Sequence, residues 1–249
     1  IYQIGGDRVQ TQGRAARPWT RFDVNGDRFN VSASYDTWDA PSGYQGLTSA
    51  TGFFIDSSRL QVEGQTNWSL RQDSVEVVVG GAVSVDKSSS KDPATGAETW
   101  LTRAVTLDKQ AVYGQGSWNL TEQVRVVLAG RGDWGALHDF QLSPKASLIY
   151  SVVADQSVRF TYNRAFLAPN IAQIFLQFPA VPAPADLGGF NALCTPFGVD
   201  CGFGLTPILA LGNEDLDVET IQTWEVGYQG VLVGRAFLTL DYYRSYSQN

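Results

Sequence analysis

The chain has no methionine, one histidine and two cysteines, and only 17% of its 249 residues are charged. A soluble domain carries about 25% charged residues. Two cysteines exclude a disulfide-dense scaffold and a Cys-rich zinc module. With a single histidine, neither a bound metal nor a cofactor is expected. No apolar run approaches the ~18 residues a membrane helix needs. Lys plus Arg number 18 against 25 for Asp plus Glu, a net charge of −7. That balance argues against nucleic acid as a partner, which needs a basic face. A signal peptide at Ile1 is excluded because Gly5, Gly6, Asp7 and Arg8 fall within the first ten residues. The missing methionine and the strand-like run into Asn249 predict a piece of a longer protein, cut at both ends or processed at one. A mature processed domain is the alternative. What the chain does have is apolar and aromatic: 43% hydrophobic residues and 12% Phe, Trp and Tyr, enough to fold, so disorder is excluded as the main state.

Helical periodicity is nearly absent, and period-two alternation runs through most of the chain, the mark of strands with two unlike faces. In the stretch 124–134, Val124, Val126, Leu128, Gly130, Gly132 and Trp134 alternate with Arg125, Val127, Ala129, Arg131 and Asp133. In 59–70, Leu60, Val62, Gly64, Thr66, Trp68 and Leu70 alternate with Arg59, Gln61, Glu63, Gln65, Asn67 and Ser69. The runs at 75–86, 145–152, 158–163, 223–229 and 238–242 follow the same rule. Asn25-Gly26, the strongest short hairpin signal, joins two such runs. Other tight turns fall near 71–73, 121–122, 154–156 and 232–234, whereas 38–54, 87–106, 135–140 and 166–217 read as longer connections.

About ten strands of the ~9–11 residues a tilted membrane strand requires, with short turns alternating with long loops, describe an all-β, antiparallel, up-and-down transmembrane barrel. The chain reads as one such domain over 1–249, with a long extracellular loop at about 166–217. Trp68 and Trp118 precede tight turns on the apolar face, and Trp134, Trp224 and Tyr242 are assigned to the opposite ends. Two aromatic belts are what two membrane–water interfaces select. A soluble β-sandwich is the competing reading, but its strands average about five to six residues.

The segment 142–243 resembles the barrel of TonB-dependent outer-membrane receptors. Ser143-Pro144-Lys145-Ala146-Ser147-Leu148 opens a strand, and Arg159-Phe160-Thr161-Tyr162 returns it. The run from Asn163 to Asn170 is similar to the family's aromatic-x-x-Pro exit into a long loop. The run from Asn213 to Glu219 resembles its Asn-x-x-Leu-x-Pro-Glu phrase, with Val218 in place of Pro. Thr223-Trp224-Glu225-Val226-Gly227-Tyr228 and the return strand 238–243 follow in order. The resemblance implies a bacterial outer-membrane transporter, not an enzyme. It would take up a scarce ligand such as a ferric siderophore, cobalamin or a glycan. Its partners would be outer-membrane lipid and TonB, the latter through a plug domain absent from this chain. Such receptors have about 22 strands and a plugged lumen. A small self-contained outer-membrane barrel (adhesin, pore or envelope hydrolase) and a soluble β-sheet binding protein are the alternatives.

Candidate site residues follow from this frame. Arg125, Arg131, Asp133, Arg159, Glu219 and Glu225 lie on the polar face and are expected to point into the lumen. Each is more readily explained as part of an interior charge ladder than as a substrate contact. Phe175, Phe178, Phe190, Phe197 and Phe203 could supply apolar ligand contacts from the long loop, or that loop could simply fold over the mouth. Cys194 and Cys201 are expected to pair, fitting an oxidising envelope compartment; so short a loop would add about 2–3 kcal/mol. His138, between Asp133 and Asp139, is the only opening for hydrolytic chemistry, and no serine partner accompanies it.

Overall fold

The computed structural model describes residues 2–4, 7–46, 52–71, 74–180, 195–198, 208–232 and 234–248. In chain order its strands are β1 (Tyr2–Ile4), β2 (Asp7–Thr11), β3 (Trp19–Asn25), β4 (Phe29–Asp39), β5 (Tyr44–Gly46), β6 (Gly52–Phe53), β7 (Asp56–Leu70) and β8 (Val75–Ser89). They continue with β9 (Val105–Asn119), β10 (Val124–Gly135), β11 (His138–Val153) and β12 (Gln156–Leu167). A short helix α1 (Ile171–Phe175) precedes β13 (Gln177–Ala180), β14 (Ile208–Leu211), β15 (Glu219–Leu232) and β16 (Ala236–Gln248). No helix among the described residues is long and apolar enough to cross a membrane.

Ten of these strands form one antiparallel sheet in the order β16-β15-β12-β11-β10-β9-β8-β7-β4-β3. Each long strand thus pairs with the long strand nearest it in sequence, the up-and-down meander expected from the hairpin rhythm. Its edges, β3 and β16, are not paired with each other. Tight turns close one end of the sheet, called inner here, and the longer connections lie at the other, outer end. There β1, β2, β5 and β6 make a small four-stranded sheet, and β13 and β14 pair as a ribbon.

The register puts like with like. Val126 stands opposite Trp118 on one side and Leu148 on the other; Leu148 faces Phe160, Phe160 faces Val226, and Val226 faces Tyr242. Because alternate residues share a face, this row belongs to one apolar surface continuous across the sheet. Among the described residues nothing covers that surface: Leu128 is 60% exposed and Leu240 67%. A soluble sheet would bury such a face. The buried hydrophobic residues are few and lie mainly at the outer end, Tyr44, Phe53, Leu101, Ile174 and Phe175 among them. The greasy surfaces therefore do not meet in a dry centre.

Two connections differ from the sequence reading. The stretch 135–140 is not a long loop: Gly135 pairs with His138, and a register shift between Asp133 and Gly135 absorbs the extra residue. A charged, His-containing stretch looked like loop because a β-bulge breaks the alternation there. The stretch 166–217 is not a bare loop either. β12 runs to Leu167, and Asn170 caps α1 through a capping box with Gln173.

One glycine is explained by close approach. Gly80 stands opposite Tyr113, whose ring lies across it: a Cβ there would sit 2.4 Å from Tyr113 Cζ. Gly80→Val is expected to displace that ring and cost about 1–3 kcal/mol, the usual penalty of overpacking, read as a lower unfolding midpoint of the detergent-folded protein. Leu128→Arg, in the middle of the apolar face, is expected to cost about 2–4 kcal/mol if that face meets hydrocarbon. Ala129→Arg, one residue on and on the opposite face, should cost less than about 1 kcal/mol. The heat-modifiable shift of folded against unfolded protein on gels measures both, and equal effects would contradict the assignment of faces.

Candidate functional site: the polar wall and its outer rim

The face opposite the apolar surface carries the charges in paired groups. Asp86 of β8 accepts from Arg59 of β7 (Nε–Oδ1 2.5 Å, Nη2–Oδ2 3.1 Å) and from Lys109 Nζ of β9 (2.8 Å). The Asp86 side chain is 7% exposed, against 53% for Arg59 and 46% for Lys109. A carboxylate so buried needs both cations, since a buried unpaired charge is costly. On β10, Arg131 pairs with Asp133 at 2.8 Å, and its guanidinium stands 5.7 Å from the Tyr113 ring centroid. Tyr113 Oη donates to Glu63 at 2.8 Å. Nearer the inner turns, Arg125 donates to Glu76 at 2.9 Å and to Ser117 at 3.0 Å. Arg159 binds Glu225 of β15 and reaches Asp241 of β16 at 3.4 Å. Gly227 makes room for this last group, since a Cβ there would lie 2.5 Å from Asp241 Oδ1. Glu219 accepts from Ser247. Exposed pairs of this kind contribute about 0–1 kcal/mol each. Their consequence is a wetted wall with fixed charge positions.

Toward the outer end this wall holds a recess of about 310 Å3, lined in part by Arg59, Lys109, Arg131, Asp133, His138 and Phe166. Three fixed cations stand there against the carboxylates of Asp86 and Asp133. Around it the outer connections are packed together. Tyr44 stacks on Phe53 with centroids 5.5 Å apart, and Trp38 Nε1 donates to Tyr44 Oη at 2.5 Å. Ser90 Oγ donates to Glu98 at 2.6 Å and accepts from the backbone N–H of Leu101 at 2.9 Å. Leu101, Val105, Leu107, Ile174 and Phe175 form a buried cluster.

The residues singled out from the sequence fall as follows. Arg125, Arg131, Asp133, Arg159, Glu219 and Glu225 share the polar face with the ion pairs just described, in separate clusters rather than one site. Trp68, Trp118, Trp134, Trp224 and Tyr242 are all exposed on the apolar face. Trp68 and Trp118 are close to inner turns and Trp134 to the outer end. Trp224 packs on Tyr162 (4.5 Å between centroids) and Phe160 (5.6 Å). Tyr242 is the middle residue of β16, not at a strand end. Phe175 is only 4% exposed beneath the Arg103 guanidinium, 4.9 Å from the ring centroid. Its ring is therefore committed to packing and is not open to a ligand. Phe197 is 82% exposed on a short 3-10 turn, Thr195–Phe197. Cys194, Cys201, Phe190, Phe203 and the side chain of Phe178 lie outside the described residues. His138 Nδ1 is 2.7 Å from the Asp139 carbonyl oxygen. That is a backbone contact, and it makes no Asp–His dyad.

Asp86, Lys109 and Tyr113 were not among the residues singled out. Asp86 was within reach, since it is in phase with Glu76 along the alternation of β8. Lys109 and Tyr113 follow from the same rule once the start of β9 is known. The rim contacts, such as Arg103 with Glu214 at 3.0 Å, join residues 111 positions apart and leave no periodic trace.

With the geometry in hand, comparison with known proteins is informative. No curated protein matches the chain. Among solved structures, the siderophore receptor PirA from Pseudomonas aeruginosa aligns with a TM-score of 0.67 at 18% identity, over 93% of this chain and 39% of PirA. A mutant of the ferric enterobactin receptor PfeA from the same organism gives 0.67 at 16% identity, over 94% and 35%. A double mutant of the Serratia marcescens hemophore receptor HasR, solved with its hemophore HasA and heme, gives 0.67 at 12%, over 94% and 40%. The chain thus spans well under half the length of these proteins, and at such identities the likeness establishes the fold. A family model described as TonB dependent receptor-like, beta-barrel, matches residues 3–249. By that match over nearly its whole length, the chain belongs to the β-barrel family of TonB-dependent receptors.

Proposed function

We propose that this barrel region serves an outer-membrane receptor that imports a scarce, iron-bearing ligand of the siderophore class, driven through TonB. The observation that carries the reading is the pairing of an unburied apolar face with a wetted, ion-paired opposite face in one continuous sheet. That arrangement suits a wall with hydrocarbon on one side and an aqueous lumen on the other. Family membership and the likeness to siderophore and hemophore receptors support the choice of transport over passive permeation or hydrolysis.

In this reading the apolar face and its aromatic residues meet outer-membrane lipid. The ligand docks at the outer rim, where Phe197 is exposed. A plug domain, pulled by TonB, opens a path along the wall. No covalent bond is made or broken. The wall's role is to hold charge in fixed places, so that an anionic chelate meets cations at the recess without water having to reorganise around mobile ions. Arg59 and Arg131 suit this because the planar guanidinium binds carboxylate-like groups in bidentate fashion. Cys194 and Cys201 would staple the long outer connection. Mass spectrometry of the non-reduced protein would show the loss of two hydrogens if they do.

The full-length receptor, expressed in cells lacking their own siderophore receptors, should restore growth on ferric enterobactin or another ferric siderophore when iron is limiting. That growth should be lost when TonB is deleted. Growth that persists without TonB would identify a passive pore instead. Replacing Arg59, Lys109 and Arg131 by Gln, together with Asp86→Asn so that no buried carboxylate is left unpaired, should raise the half-saturating concentration of an anionic ferric siderophore about tenfold, or ~1.4 kcal/mol, with the amount of folded barrel unchanged. An unchanged half-saturation would remove the recess from the transport path.

A further inference from the structure

The seam between β11 and β12 is laddered only in part. Pairing runs from Val153↔Gln156 to Lys145↔Asn163 and stops there. Both strands continue outward without each other. β11 goes on pairing with β10 through Pro144, Ser143, Leu142 and Gln141 to His138. β12 goes on pairing with β15 from Arg164↔Gln222 to Leu167↔Glu219. The ladder breaks at Pro144, which has no N–H to give, and a proline within a sheet is confined to an edge. From that point outward β11 is an edge on its β12 side. Phe166 confirms the loss of register. A regular ladder would set it opposite Leu142, yet its ring contacts His138, with centroids 5.0 Å apart.

The height of the break matters. Of the nine residues of β11 from Val153 back to Lys145, all but Val152, at an irregularity beside the inner turn, are paired with β12, and about nine residues cross the hydrocarbon of a membrane. Unpaired backbone groups are prohibitive inside that layer and tolerable above it, where water reaches them. Above the break the two sides are held by other means. Phe166 meets His138. Ile174 and Phe175 of α1 bury themselves with Leu101, Val105 and Leu107, and Ile171 and Leu137 pack on that cluster. Thr102 N–H donates to the Phe175 carbonyl, and Gln177 N–H to that of Trp100, both at 2.8 Å.

We propose that this seam is a built-in hinge. The outer ends of β12 and β15, with α1, form one leaf, which opens at Lys145–Asn163 against the rim carried by β8 to β11. The apolar clasp of α1 on Leu101, Leu107 and Leu137 holds it shut over the recess lined by Arg59, Lys109 and Arg131. Opening then breaks side-chain packing, the two backbone hydrogen bonds of the rim and the Arg103–Glu214 ion pair, while every ladder bond at membrane depth stays made. Placing the hinge above the hydrocarbon rests on the membrane-spanning reading, but the hinge itself is tested without reference to transport.

Amide hydrogen exchange on the full-length protein in detergent is the measurement. Ile174→Ala weakens the clasp and is expected to speed exchange about tenfold at the Thr102 and Gln177 amides, whose hydrogen bonds opening breaks, leaving Gln156–Asn163 unchanged. Pro144→Val restores the missing donor, lets the ladder extend, and is expected to slow exchange at Arg164–Leu167 severalfold. Acceleration that spreads equally below Asn163 would mean general loosening and overturns the hinge. So would a Pro144→Val protein whose exchange at Arg164–Leu167 matches the parent. A hinge that passes both tests in a protein that fails to restore TonB-dependent growth would refute the transport reading alone.

Discussion

The backbone ladder is the constraint on which the rest of this structure depends. Inside hydrocarbon each N–H and C=O must find a partner in the protein, because no water is available and an unmet group costs several kcal/mol. A meander answers this most economically: each strand's groups are met by the strands before and after it in sequence, joined by turns of a few residues. Eight of the ten strands in the main sheet are flanked on both sides in this way. The places where it relaxes most, at Pro144 and at the long outer connections, lie at the outer end; one further irregularity, at Val152, sits beside an inner turn. The same rule applies to the edges β3 and β16, whose outward-pointing backbone groups need pairing strands wherever those edges meet lipid.

Once the ladder is fixed, the side chains have little freedom left. Register makes every residue a member of one of two surfaces, and a one-residue slip would exchange them. That is why the ionic groups form cross-strand clusters rather than a scatter. Asp86 is flanked by Arg59 on β7 and Lys109 on β9 because those positions are in phase on neighbouring strands. Arg159, Glu225 and Asp241 meet across β12, β15 and β16 for the same reason. Glycines supply clearance where clusters are crowded: Gly80 beneath the Tyr113 ring and Gly227 beside Asp241. The wall is therefore a fixed pattern of charge with preset partners.

What could be read from the sequence follows this division. The strands, their faces and the inner turns were legible because period two is a local property repeated over 7 to 16 residues. The outer rim was legible only in fragments. Asn170 and Gln173 carry a recognisable helix-start pattern, yet a helix of 5 residues gives too little periodicity to stand out. The burial of Phe175 depends on Leu101 and Arg103, far away in sequence, and no pattern within its own segment could indicate it. The bulge before His138 hid a tight hairpin, since an inserted residue shifts the phase of the alternation on which the reading relied.

The two parts of the molecule are stabilised by different physics, and this bears on what each can do. The wall has almost no dry core; in a bilayer its apolar surface is satisfied by lipid, and its cohesion comes from hydrogen bonds that cannot be released one at a time in hydrocarbon. The rim has a conventional core, built from Tyr44, Phe53, Leu101, Ile174 and Phe175, whose contacts are short-ranged and open to water at their edges. Small apolar cores of this kind open at modest cost, whereas ladders at membrane depth do not. A receptor that must admit and then enclose a ligand needs movable parts above a wall that never loses its hydrogen bonds. In the receptor proposed above, packing outside and hydrogen bonding inside the membrane would separate those two requirements within one chain.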